Sequence, residues 1–123
     1  MSHPVFSVRD GALAISSGAQ TGFAWQGCPD GLRVVDLRVA VQGDSAFILL
    51  DPPRGTGRVP NLVRVAATGS VIWRGELPDT SATDSFVSLE LDVEGDVIAG
   101  TWSGYRVRLD PDTGRCLDKE FTK

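Results

Sequence analysis

Histidine is almost missing from this chain: His3 is the only one, and it stands in the first few residues. A Ser–His–Asp or Cys–His nucleophilic set would have to be built on that residue, in a stretch of chain that commonly frays, so this chemistry is set aside. Cysteine is scarce as well. Cys28 and Cys116 lie far apart and neither belongs to a Cys-x-x-Cys pair, which removes the usual spacing of a zinc site and supplies no disulfide framework. No apolar run reaches the length of a membrane span. Met1-Ser2-His3-Pro4 carries neither the basic nor the apolar part of a secretory signal. The expectation is a cytoplasmic chain with reduced thiols and no membrane partner. Basic residues do not outnumber acidic ones: 12 stand against 16, for a net charge of -4. Phosphate binding needs a basic face, so nucleic acid is not the expected partner, and the scattered charges read as solubility. Helical patterning is also lacking, since no capped segment repeats its apolar residues every 3.6 positions.

What is present is one domain's worth of chain. The 123 residues are 41% apolar and 23% charged, ordinary for a globular protein and enough to bury a core without staples. The apolar residues recur mainly with period two, the signature of half-buried strands. From Arg33 to Gln42, Val35, Leu37, Val39 and Val41 share a face. Gly43-Asp44 turns, and Ala46–Leu50 is apolar on both faces, as a central strand is. Pro52, Pro53, Gly55 and Gly57 then forbid a continuous ladder. Strands resume at Asn61–Val65 and at Val71–Trp73. After the polar stretch Pro78–Ser85, Phe86–Val93 alternates with Val87, Leu89, Leu91 and Val93 on one face. Val97–Trp102, Tyr105–Leu109 and Arg115–Phe121 follow, separated by tight turns. Val5–Val8 and Leu13–Ser16 form a hairpin around Asp10-Gly11, and Ser17–Gly31 reads as a glycine-rich loop.

The turns repeat. Val63–Gly69 and Val107–Gly114 both read strand, tight turn, Thr-Gly, and the two glycines stand 45 positions apart, which suits one four-stranded propeller blade. The expected organisation is a single all-β domain over residues 1–123. It comprises an irregular N-terminal hairpin and Gly-rich loop (1–31), a first blade-like unit (32–77) and a second (86–122). The fold expected is antiparallel four-stranded meanders in two packed sheets, a sandwich or an incomplete propeller, with little or no helix.

The segment Thr68-Gly69-Ser70-Val71-Ile72-Trp73 resembles the Thr-Gly-x-x-x-Trp core of the quinoprotein-like (PQQ-like) propeller repeat. That resemblance implies that Thr68 and Gly69 turn the chain between the last two strands of a blade and that Trp73 packs between neighbouring blades. The second unit keeps Asp110, Thr113 and Gly114 but has Asp118 where the tryptophan would stand, and the first has Val65 at the family's aspartate position. Blade geometry is implied; the quinone is not, and no cofactor is expected. Two blades are too few for a ring. Their faces could be closed by packing on each other, by the N-terminal strands as a third partial sheet, or in a homodimer.

Candidate functional residues are few. Asp92, Glu94 and Asp96 around one turn, and Asp110 with Asp112 at another, could ligate calcium, but aspartate also suits turns and no twelve-residue ligand frame is present; no metal is expected. Pro53–Arg58 looks like a phosphate cradle yet lacks the Gly-Lys-Ser/Thr ending and precedes a strand. Its Arg54 and Arg58 suit an acidic partner. Trp73 and Trp102 fit packing roles, while Trp25 beside Phe23 in the irregular segment suits a binding anchor. The functional expectation is a non-catalytic module that binds a protein through Asp51–Pro60 and Pro78–Ser85. Two alternatives stay open: a small-molecule or carbohydrate binder using Phe23, Trp25 and Trp102, and a hydrolase using paired carboxylates.

Overall fold

The structure is a computed structural model and describes residues 4–16, 25–53, 57–78 and 82–122. Three antiparallel meanders follow one another. The first sheet holds β1 (Val5–Arg9), β2 (Ala12–Ser16) and β3 (Trp25–Gly27), paired in that order. A single 3-10 turn at Pro29–Gly31 leads to the second sheet. In chain order the next strands are β4 (Val34–Val39), β5 (Ser45–Leu50), β6 (Arg58–Val59), β7 (Leu62–Ala66), β8 (Val71–Arg74) and β9 (Asp84–Ser85). The second sheet pairs β4-β5-β7-β8, while β6 and β9 form a short parallel pair of their own. The third sheet is β10 (Glu90–Leu91), β11 (Val97–Gly100), β12 (Tyr105–Leu109) and β13 (Cys116–Phe121). The architecture is all-β and blade-like, as the period-two pattern predicts, and the N-terminal segment adds a third sheet to the two expected.

The second sheet lies between the others and is apolar on both faces for that reason. Every residue of β5 is buried. Ala46, Ile48 and Leu50, with Val63 and Val65 of β7, meet Phe6, Leu13 and Ile15 of the first sheet. Phe47 and Leu49 point the other way and, with Leu62 and Trp73, meet Val97, Ala99, Val107 and Leu109 of the third. Alternation along one strand therefore feeds two cores.

Each interface also carries a tryptophan laid on the turn of the next sheet. Gly69 (φ +88) turns the chain between β7 and β8, and a Cβ built on it would stand 2.3 Å from Cε2 of Trp25. Gly114 (φ +76) does the same between β12 and β13, with Cε3 of Trp73 2.5 Å from its missing Cβ. Only glycine satisfies both the backbone and the ring. The Trp73 indole N–H donates to the Pro111 carbonyl at 2.8 Å, so its polar end is paired within the interface. Arg64 runs alongside: its Nε donates to Ser45 Oγ (2.8 Å) and its Nη1 to the Pro111 carbonyl (2.6 Å). Arg74 ties the sheets at another point, gripping both carboxylate oxygens of Asp30 at 2.9 and 2.5 Å.

The faces turned away from these interfaces are different in kind. By pairing register, the outward face of the third sheet carries Glu90, Ile98, Arg106, Arg108, Asp118 and Glu120, and that of the first carries Val5, Ser7, Arg9, Ala12, Ala14, Ser16 and Gln26, with Val5 its one large apolar residue. Charged or small outward faces are what terminal units of a stacked array need.

Two expectations about strands are corrected. Val35, Leu37, Val39 and Val41 do not form one buried face: a bulge between Val34 and Asp36 shifts the register, Val34 enters the core instead, and Val35, Val39 and Val41 are exposed. Phe86–Val93 is not a continuous strand either. Only Glu90–Leu91 pairs within it, Val87 and Val93 are exposed, and Phe86 is buried through a separate bridge to Thr101. There the Val87 amide still donates to the Gly100 carbonyl, but Ser88 Oγ accepts the Gly100 amide in place of a ladder carbonyl.

Candidate interaction face

The prolines that break the strand pattern after Leu50 leave backbone groups needing partners, and two buried polar side chains supply them. Asn61, 1% exposed, donates through Nδ2 to the carbonyls of Leu50 (2.6 Å) and Phe86 (2.9 Å) and accepts from the Phe86 amide at 2.7 Å. It stitches the β5–β7 connection to the β8–β10 connection as a strand would. Asp84, also 1% exposed, accepts from the amides of Ser85 (2.9 Å) and Ser103 (3.0 Å) and from Ser103 Oγ (2.8 Å). Three neutral donors thus solvate a buried carboxylate. The Asp84 amide donates to the Gly57 carbonyl at 3.2 Å, and the Trp102 amide to the Ser85 carbonyl at 2.9 Å.

These bonds join three connections into one face: the loop with Arg58, the loop with Asp84 and Ser85, and the β11–β12 turn with Trp102. On that face the Trp102 side chain projects outward, 64% exposed. The structure therefore brings together Arg58 and Trp102, which are remote in sequence. Phe23 and Arg54 lie outside the described residues, as does His3. Trp25, expected as a binding anchor, is not on this face. It belongs to the interface of the first and second sheets, half-buried over Gly69, because the turn glycine leaves the space that its ring fills. Thr68 and Gly69 stand in the β7–β8 turn, Asp110, Thr113 and Gly114 between β12 and β13, and Trp73 of β8 lies over Gly114.

An open groove of about 610 Å³ starts at Arg58 and runs between Glu76–Pro78 and the β13 edge at Cys116–Lys119. Glu76 Oε1 accepts from the Cys116 amide at 2.9 Å, and Lys119 Nζ donates to the Pro78 carbonyl at 2.9 Å. Burial, and then the Glu76 carboxylate, push the Cys116 thiol up from its ordinary pKa, the opposite of what activates a nucleophile. Cys28 and Cys116 are both free thiols.

The acidic turn has a cation already in it. Ligand oxygens of Asp92, Glu94 and Asp96 lie within 4.8 Å of one another, and Arg108 Nη1 bonds both Asp92 and Asp96, the latter at 2.9 Å. Asp92 Oδ1 also accepts the Glu94 and Asp96 amides, each at 2.9 Å. Partial desolvation opposes ionisation of Asp92, but those amides and the Arg108 guanidinium outweigh it and hold the carboxyl below its ordinary value. A turn closed by its own aspartate accounts for the cluster.

Sequence reasoning missed Asn61 and Asp84, which look like any other polar loop residues; their roles come from burial, which no local spacing reports. It also missed a third repeat signal that is in the sequence, Thr21-Gly22 ahead of Trp25.

A family model for a domain of unknown function, DUF7957, matches residues 34–121. The chain belongs to the DUF7957 family. No curated protein matches it. Among solved structures this DUF7957 chain is similar to BamB from Moraxella catarrhalis, at 22% identity and a TM-score of 0.62, covering 100% of this chain and 34% of that one. It is similar to the computationally designed Ika8 protein, at 16% identity and a TM-score of 0.64, over 100% of this chain and 35% of that one. The designed Ika4 protein gives 15% identity and a TM-score of 0.65, with 100% and 69% covered. The DUF7957 chain thus spans about a third of the length of BamB and of Ika8. These likenesses establish a β-propeller-like fold.

Proposed function

We propose that the chain is a non-catalytic protein-binding module that engages its partner through the face bearing Arg58 and Trp102. The observation that carries this reading is Trp102: a large aromatic side chain, 64% exposed, on a turn held by the buried Asp84 carboxylate. A rigidly mounted aromatic costs little entropy to bury and is a common centre of interface energy. Arg58 and the groove beside it extend the surface with charge and apolar area. The alternative of an aromatic cleft for a sugar or other small molecule loses support, since Trp25 and Trp102 are in separate places. Paired-carboxylate hydrolysis has Asp84 tied to three donors and Asp92 and Asp96 tied to Arg108 as evidence against it.

The blade repeat is assigned to the quinoprotein-like class on the Trp25–Gly69 and Trp73–Gly114 contacts, without a cofactor. The cytoplasmic placement rests on the free thiols, and the charged outward face of the third sheet favours a monomer over the homodimer alternative. Affinity capture from native extract with paired baits tests the central reading. The wild-type chain should recover a protein that Trp102→Ala, folded by circular dichroism, recovers at least about tenfold less, the scale of a hot-spot residue. Equal recovery by both baits, or none by either, removes the proposal.

A further inference from the structure

The first sheet has three strands where the second and third have four, and the tryptophan contacts tell which one differs. Trp25 of β3 covers Gly69 as Trp73 of β8 covers Gly114, so β3 matches β8. Counting back along the meanders, β2 matches β7 and β1 matches β5. Among the described residues the first sheet has no counterpart of β4 or β10, and β1 has a paired neighbour on one side only.

Exposure along the matching strands records the consequence. The pairs Val39↔Ala46 and Leu91↔Val97 are equivalent in register, and two residues earlier Leu37 corresponds to Leu89. In the third sheet Leu89 is 2% exposed and Leu91 half-buried, both against the second sheet. At the same repeat positions in the second sheet, Leu37 is only half-buried and Val39 is 41% exposed. Val8, on the face of β1 turned toward the second sheet by its pairing with Leu13, is 43% exposed.

We infer that a partner protein completes the first sheet by strand addition. An extended segment of the partner pairs antiparallel with β1, as β4 pairs with β5, and covers Leu37 and Val39 as the second sheet covers Leu89 and Leu91. Main-chain ladder bonds supply the affinity, and alternate side chains supply the selectivity. The segment is free of proline at its donating positions and turns aliphatic residues or aliphatic stems toward the second sheet, as Arg38 of β4 and Ala40 just after it turn toward the third. The place is one strand wide, as β4 is the single strand beyond β5 in the second sheet. This surface is distinct from the Arg58–Trp102 face and does not depend on it.

The test uses the full chain and a fluorescent peptide of the β4 sequence, residues 33–41, which plays this part in the second sheet. Binding by anisotropy is expected, together with slowed amide exchange in Val5–Arg9 and unaltered exchange at β8 and β13. A peptide with proline at one ladder-donating position should bind about tenfold more weakly, the loss of one hydrogen bond. Val39→Asp, at a site already partly exposed, should weaken binding without unfolding the chain. Trp102→Ala should leave it unchanged, which separates this result from that of the proposed partner face. No binding at millimolar peptide, protection at β8 or β13 instead, equal binding of the proline peptide, or a peptide-free dimer with β1 protected would each overturn the inference.

Discussion

Replacing Gly114 by alanine tests the wedge between the second and third sheets. Two costs are separable. A non-glycine residue at φ +76 pays the left-handed backbone penalty, about 1 kcal/mol. The new methyl would also stand 2.5 Å from Cε3 and 2.7 Å from Cδ2 of Trp73 and 3.1 Å from the Arg74 carbonyl oxygen. That ring is 8% exposed and pinned through its N–H to Pro111, so it cannot swing aside, and overpacking of this kind adds about 1–3 kcal/mol. Gly31 is the internal control: its φ is +73, but nothing lies within 4 Å of its missing Cβ. Gly31→Ala should therefore cost the backbone penalty alone, about 1 kcal/mol, and Gly114→Ala about 2–4 kcal/mol. Gly69→Ala should fall between them, since Trp25 is only half-buried and yields more easily. Urea unfolding monitored by tryptophan fluorescence reads all three, provided the m-values stay equal. Equal destabilisation by Gly31→Ala and Gly114→Ala would refute the wedge.

Other outcomes follow from the buried polar groups. Asn61→Ala should cost about 2–3 kcal/mol by leaving the Phe86 amide and the Leu50 carbonyl without their partner, read by the same unfolding curves; a loss under about 0.5 kcal/mol, the range of ordinary surface changes, would contradict the stitching role. Asp84→Ala should release the Ser85 and Ser103 amides, so that hydrogen exchange quickens at 83–86 and 101–104 while β5 is unaffected; unchanged exchange at those turns would contradict it. The Asp92 carboxyl is held below its ordinary value of 3.8, so its contribution is complete above that pH and is lost as the pH falls through the lowered folded value. Acid unfolding of Arg108→Met should begin at a higher pH than that of the wild type, and coincident curves would show that the pair contributes nothing.

Much of the fold is readable from alternation. Ala46–Leu50 announces a strand with two apolar faces, and it is buried along its whole length because it feeds both cores. Gly69 and Gly114 with their threonines announce the turns. The pattern misleads where cover, not periodicity, decides burial. Val35, Leu37, Val39 and Val41 alternate as well as any core strand does, but a bulge and the three-stranded first sheet leave most of them exposed. Trp25 was legible as an aromatic in a loop, while its partner, the bare backbone of Gly69, is remote in sequence and offers no local signal. The candidate face was half legible: Arg58 and Trp102 stand out by type, but Asp84 and Asn61, which bring them together, are distinguished only by burial.

Three sheets, each wedged to the next by a tryptophan on a glycine turn, form one unit that mounts the Arg58–Trp102 face. Native-state hydrogen exchange measures it most directly. The slowest amides should lie in all three sheets, at Leu13–Ile15, Phe47–Leu50, Val63–Val65 and Val107–Leu109, with one shared opening free energy equal to that of global unfolding. Amides of the first or third sheet exchanging as fast as the loops, while the second stays protected, would contradict it.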